Sequence, residues 1–260
     1  MAGELLMTCM NMDCNVIFRG YVINASCELI PKIRISPFSI RQMYFAYPEL
    51  KEREAGELRE YLKKNFNSYA FLPKGRTAIS VALDHYDLKK DDVVTILTTS
   101  GNFYISSCVT KEIEKKCKWS REVTDSTKVI FINHEFGYAY TEIEKIRKYN
   151  LPVIEDCAHT FFTKSPYIGE VGDFVIYSLP KAFPMQLGAI LSSRKFDLGK
   201  VKVSWELGNY IERRLFSHIK RSEEIKQKRL VNYKLLAERL SFLGISPFFD
   251  YKLGTIPGVF

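Results

Sequence analysis

Ser178-Leu179-Pro180-Lys181 directly follows an apolar run, Phe174 to Tyr177, that has the character of a buried strand. Upstream, a second buried run, Pro152-Val153-Ile154-Glu155, ends in Asp156. A lysine and an acid, each at the end of its own strand, meet the requirements of a pyridoxal-phosphate (PLP) site. The amine can hold the cofactor as a Schiff base, and the carboxylate can keep the pyridine nitrogen protonated so that the ring accepts electrons. An unpaired buried carboxylate is costly, so Asp156 needs a partner such as a pyridinium N–H; the competing reading is an N-cap for the segment that begins at Cys157. Gly75-Arg76-Thr77 opens a helix whose free N–H groups and dipole favour a phosphate, and the Ser178 hydroxyl could add a hydrogen bond. An ordinary turn is the alternative there. Cys157 lacks an activating histidine and reads as an inert buried thiol.

The elements that must position these residues follow from periodicity. Glu49 to Phe66 and Gly75 to His85 have helical spacing, and regular alternation follows. Val93–Thr98, Lys128–Asn133, Val153–Glu155, Phe174–Ser178 and Ala189–Ser192 read as strands, with helices at Phe103–Lys116 and Thr141–Tyr149 between them. Near-continuous Val, Ile and Phe strands separated by helices predict a doubly wound α/β domain with a mostly parallel sheet covered on both faces. Ligands of such sheets bind beyond the carboxyl ends of the strands, where Asp156, Ser178 and Lys181 emerge. Residues 204–243 read as two helices or one that bends, with Leu207, Ile211, Leu215 and Ile219 four apart and Tyr233, Leu236 and Leu240 after a phase shift. A short β-like tail follows Ser246-Pro247. The expected division is an arm at 1–48, with β-like pieces at Asn15–Phe18 and Tyr21–Ile23, a cofactor-binding α/β domain at 49–200, and a helical, incomplete C-terminal domain at 201–260.

Composition sets the bounds. The 260 residues, 46% hydrophobic, suffice for a real core, and the net charge of +8 reads as solvated lysine surface, with a phosphate or nucleotide ligand also compatible. Arg213, Arg214, Lys220, Arg221, Lys226, Lys228 and Arg229 alternate with Glu212, Glu223 and Glu224, which favours a solvated helical face over a nucleic-acid surface. No apolar stretch reaches the ~20 residues of a membrane span, and no export signal is evident, so a cytoplasmic protein without a membrane partner is expected. Cysteines 9, 14, 27, 108, 117 and 157 lack zinc-site spacing, which points to free thiols and no metal.

Gly75-Arg76-Thr77-Ala78, Val153-Ile154-Glu155-Asp156-Cys157-Ala158-His159, Gly169-Glu170-Val171-Gly172-Asp173 and Ser178-x-x-Lys181 with Gly188 together resemble the DegT/StrS family of fold-type-I, PLP-dependent nucleotide-sugar aminotransferases. The resemblance implies that Lys181 forms the covalent link to PLP and moves the substrate proton, and that Asp156 pairs with the ring nitrogen. It places His159 near the ring hydroxyl, where a structural histidine is the close competitor, and Phe103 where the family stacks an aromatic ring, with a core role as the alternative. His134 and Gly137 fall at the family's His-x-x-Gly turn, read here as packing or turn formation. An amino donor such as glutamate, a nucleotide-linked keto sugar destined for surface polysaccharide or related amino sugars, and a homodimer are implied in the same way. Two departures are expected: only about ten residues stand between Lys116 and Lys128, where the family has a further strand and helix, and the C-terminal domain is shortened. They motivate an alternative, a catalytically silent relative kept for binding or assembly. A PLP-dependent dehydratase would carry histidine in place of Lys181.

Overall fold

A computed structural model describes the backbone of residues 15–18, 21–24 and 32–35, residues 38–39 and 41–42, and residues 47–258 except 103. The chain divides into two compact units, Met1–Ala46 and Tyr47–Phe260. In the first, β1 (Asn15–Phe18), β2 (Tyr21–Asn24) and β3 (Lys32–Ile35) form an antiparallel sheet in that order. The sequence reading found the first two of these strands.

The second unit is built on a seven-stranded sheet. Its strands are β4 (Ser68–Leu72), β5 (Val93–Thr98), β6 (Lys118–Ser120), β7 (Thr127–Asn133), β8 (Val153–Asp156), β9 (Phe174–Ser178) and β10 (Ala189–Ser193). Their spatial order is β4-β10-β9-β8-β7-β5-β6. All pairings from β9 to β6 are parallel, and β10 runs antiparallel to both neighbours. The helices are α1 (Glu52–Asn65), α2 (Gly75–Asp84), α3 (Ser107–Glu114), α4 (Ile143–Arg147), α5 (Leu179–Ala182), α6 (Trp205–Ile219) and α7 (Ser222–Ser241).

Strand alternation sends the apolar side chains to two opposite layers. Val129, Phe131, Ile154, Ile176 and Leu191 pack with Ala78, Ile79, Ala82 and Leu83 of α2 and Val109 and Ile113 of α3. On the other face, Ile130, Ile132 and Val153 meet Ile143 and Ile146 of α4, while Phe71 and Ile190 meet Leu58 and Leu62 of α1 and Ile211 and Leu215 of α6. Full burial of one such side chain contributes about 1.5–3 kcal/mol. The expected doubly wound, mostly parallel α/β fold is therefore the fold of this unit.

Several local expectations are corrected. Strand β4 was not anticipated; its Ser-Tyr-Ala-Phe-Leu alternation is short and follows helix α1 almost at once. The segment after Lys116 does hold a further strand, the three-residue β6 at the sheet edge, but among the described residues no helix joins it to β7. Helix α3 begins at Ser107 because Ser106 caps it, its hydroxyl accepting from the Cys108 amide. The helical C-terminal stretch is two helices, α6 and α7, and Leu236 is exposed rather than packed. Among the described residues the tail after Pro247 forms no strand, yet Thr255 and Ile256 are buried.

One polar node ties the loops at the carboxyl edge of the sheet. Along β8 the side chain of Glu155 points away from that of Ile154 and is fully buried. Its Oε1 accepts from the Val171 and Gly172 amides at 2.9 and 2.6 Å, and its Oε2 from the Gly169 amide at 2.6 Å. The fourth donor is His134 Nε2, 3.0 Å from Oε2. The Tyr140 amide donates to His134 Nδ1 at 2.9 Å, which leaves the ring proton on Nε2. The Gly169-Glu170-Val171-Gly172 turn thus wraps a buried carboxylate, and His134 spans the ends of β7 and β8. Burial alone would push the pKa of Glu155 up, but His134 and the backbone amides outweigh it and hold the carboxyl below its ordinary range.

A carboxyl whose native value is depressed contributes stability that is complete above its unfolded value, ~4.3, and is lost as pH falls through the native value. Glu155→Gln, which removes the charge and sets an NH2 group against N–H donors, is expected to cost about 3 kcal/mol at pH 7, since a buried charged network is being broken. Urea unfolding of both proteins at pH 7 and pH 3.5 checks this, the difference between them shrinking at the lower pH.

Candidate active site

Four strand ends meet at one point on the sheet edge. Asp156 ends β8 and Ser178 ends β9, and Ser178 is paired with Ala189 at the start of β10, which in turn pairs with Leu72 at the end of β4. The Gly188 amide donates to the Pro73 carbonyl at 2.8 Å, and the Leu179 amide to the Gly188 carbonyl at 3.0 Å. Helix α2 therefore starts beside α5, the single turn that carries Lys181. Gly75 lies against Ser178, where a Cβ on Gly75 would stand 3.7 Å from the serine Cβ. No side chain caps α2, and its first internal bond is from the Ala78 amide, so the amides of Gly75, Arg76 and Thr77 are unspent within the helix. The Arg76 side chain is exposed. Phe103 lies outside the described residues.

Asp156 is buried, and its Oδ1 accepts from the Ala158 amide at 2.9 Å. This is the capping role weighed against a ligand role, but it uses one oxygen. Among the described residues no donor meets Oδ2. His159 follows, its ring edge-on to Phe136 at 5.8 Å. Burial, and then the positive charges of Lys181 and Arg229, push His159 down to about 3, so its imidazole is neutral at physiological pH. The Cys157 thiol is fully buried and burial raises it well above the ordinary thiol range, in keeping with an inert group.

Arg121, Glu135 and Phe136, none of them singled out from the sequence, brace the neighbouring loops. Arg121 donates to the carbonyls of Ile96 and Asn102 at 2.7 and 2.8 Å and to Thr98 Oγ1 at 3.0 Å, bracing the loop after β5. The buried Glu135 accepts from the Ser100 amide at 2.6 Å and joins that loop to the turn after β7. In that turn Phe136 takes a left-handed conformation, φ 55, followed by Gly137. The tail crosses it: the Gly258 amide donates to the Phe136 carbonyl at 2.6 Å, and Ile256 donates to Thr163 Oγ1, which donates to the Gly137 carbonyl. A side chain at Gly137 would put its Cβ 2.3 Å from the Ile256 carbonyl oxygen. Glu135 and Arg121 offered no spacing signal in the sequence, because most of their partners are backbone groups far away along the chain.

The basic C-terminal helices are not a uniformly solvated face. Arg214 of α6 is buried, and Arg229 of α7 is partly buried with its guanidinium over the Phe162 ring. The Lys181 side chain is exposed.

A family model described as "Putative PLP-dependent aminotransferase" matches residues 60–234, two thirds of the chain. The chain belongs to this family. A PLP-dependent aminotransferase is what the lysine and acid at the strand ends led one to expect. No curated protein sequence matches the chain. Solved structures share the fold. A DegT DnrJ EryC1 StrS aminotransferase from Brucella abortus superposes with TM-score 0.59 at 14% identity, over 82% of this chain and 69% of its own. The sugar aminotransferase CalS13 from Micromonospora echinospora gives 0.54 at 14%, over 82% and 72%. NtdA from Bacillus subtilis, solved with the cofactor PMP bound, gives 0.59 at 15%, over 82% and 59%. The cofactor of the family is PLP, and two features of this edge suit it: a buried aspartate oxygen without a protein donor among the described residues, and an uncapped helix start beside a serine.

His159 and the buried His218, which burial and Arg214 push down to about 4, stay neutral in the folded protein while the unfolded chain protonates near pH 6.5. The unfolded state then binds more protons below that pH, so stability falls as pH drops from about 6.5 toward 4. Replacing His159 by Gln is expected to recover about 1–2 kcal/mol of the loss between pH 7 and pH 5; denaturant midpoints at the two pH values measure it.

Proposed function

We propose that this aminotransferase acts on a keto sugar carried on a nucleotide, with glutamate or a similar amino acid as donor, and that the edge formed by Asp156, Ser178, Lys181 and the start of α2 holds PLP. The observation that carries the reading is the buried carboxylate of Asp156, with one oxygen uncommitted among the described residues, one strand away from the turn bearing Lys181. The sugar substrate rests on the resemblance to the DegT/StrS family and on the sugar aminotransferase and DegT DnrJ EryC1 StrS aminotransferase among the solved structures of the same fold. A homodimer belongs to the same proposal by resemblance.

When bound, PLP supplies an electron-withdrawing ring that stabilises negative charge on the substrate carbon. In this reading Asp156 Oδ2 would accept the pyridinium N–H and keep that proton in place. The amides of Gly75, Arg76 and Thr77, with the Ser178 hydroxyl, bind the phosphate at a helix start whose dipole favours an anion. His159, neutral and edge-on to Phe136, has a ring N–H or lone pair to offer the ring hydroxyl. Lys181 Nζ would hold the cofactor through its amine, and the same amine would serve as the general acid and base that moves the substrate proton.

Purified protein with added PLP is expected to show a yellow band that borohydride fixes to the peptide containing Lys181. Lys181→Ala is expected to lose that adduct and to lower transamination by on the order of 1000-fold, the usual size of a general acid–base contribution. An unchanged spectrum in the variant would contradict the assignment.

A further inference from the structure

Helix α5 is a single turn, Leu179–Ala182, and its last carbonyls have no intrahelical donors beyond the Phe183 amide, which donates to the Leu179 carbonyl. So short a helix cannot hold its own shape. Three side chains from the C-terminal helices reach this backbone. Arg229 Nη2 of α7 donates to the Lys181 carbonyl at 2.5 Å and lies 3.4 Å from the Ala182 carbonyl. Arg214 Nη1 of α6 donates to the Pro184 carbonyl at 3.2 Å, and the Gln186 amide donates to the Tyr210 hydroxyl at 3.0 Å. The backbone from Lys181 to Gln186 is thus held from outside the sheet, by groups that lie between 24 and 48 residues further along the chain.

Of these, Arg229 is the one on the lysine itself. Its stem is partly buried, its guanidinium packs on Phe162 at 5.6 Å, and among the described residues no carboxylate pairs with it. A planar, permanently charged fork at the C-terminal end of a helical turn satisfies carbonyl oxygens and opposes the negative end of the turn. We propose that Arg229 is the positioning residue for Lys181, capping the carbonyl end of α5 so that the lysine side chain leaves the turn in one fixed direction toward the cofactor edge. Arg214 and Tyr210 extend the same brace to Pro184 and Gln186. The inference rests on the reading of Lys181 as the residue that takes PLP.

The test uses the whole 260-residue chain and two variants: Arg229→Met, which keeps the apolar stem over Phe162 but removes the donors, and Arg229→Lys, which restores a charge on a single donor nitrogen. PLP is added, the rate of covalent capture at Lys181 is followed by borohydride trapping and peptide mapping, and the induced circular dichroism of the bound cofactor is recorded. Amide exchange of the segment 179–185 is measured without cofactor. For Arg229→Met the expected results are capture at Lys181 slowed at least tenfold, a reduced visible circular dichroism and faster exchange in that segment alone, with PLP still retained noncovalently. Arg229→Lys is expected to recover part of the capture rate. If the wild-type protein captures PLP on Lys181 and Arg229→Met does so equally fast with the same dichroism, this inference is overturned by itself. If the wild-type protein takes no PLP on Lys181, the cofactor reading fails and this inference fails with it.

Discussion

The buried carboxylate of Glu155 is the point on which the architecture of the candidate site rests. It stands next to Asp156, on the opposite side of the same strand, and gathers three amides of the loop before β9 and the imidazole at the end of β7. Each donor comes from a segment that would otherwise be free to move. Because the group is charged and dry, loss of any one donor leaves an incompletely solvated charge, so the loops are held together or not at all. Asp156 inherits its position from this arrangement: the strand that Glu155 anchors delivers the neighbouring carboxylate to the sheet edge.

The second constraint is the reversed strand β10. By pairing antiparallel to both β9 and β4, it brings the start of α2, Gly188 and the lysine turn to one place. The start of α2 is thereby brought against the segment that carries both Ser178 and Lys181, far along the chain. The lysine turn is too short to be rigid by itself, and the C-terminal helices supply what it lacks. Arginines that read as surface charge along the sequence are, in the fold, fastened to backbone carbonyls around Lys181. Helices α6 and α7 thus support the backbone from Lys181 to Gln186.

The parts legible in the sequence were those governed by local periodicity. The central strands, long runs of Val, Ile and Phe, were located to within a residue or two, and with them the ends that carry Asp156 and Lys181. Strand β4 escaped because five residues squeezed between two helices give alternation little room to show. Strand β6, with three residues and an exposed tryptophan, carries almost no pattern. The role of Gly169-Glu170-Val171-Gly172 could be recognised as a motif but not explained, since its partner Glu155 binds through backbone amides, which any sequence possesses. Arg229 was misread for a similar reason: its acceptors are carbonyls, and a charge pattern along one helix cannot reveal them. The tail after Pro247 reads as β-like in the sequence, whereas Ile256 is buried by crossing the turn at Gly137 rather than by joining a sheet.

The central claim is that the uncommitted oxygen of Asp156 and the amine of Lys181 face the same bound cofactor. A crystal structure of the protein grown with PLP tests it most directly. The account predicts continuous density from Lys181 Nζ to the cofactor, Asp156 Oδ2 within hydrogen-bonding distance of the ring nitrogen, and the phosphate at the amides of Gly75 to Thr77. PLP bound elsewhere, or a ring whose nitrogen faces away from Asp156, would contradict it.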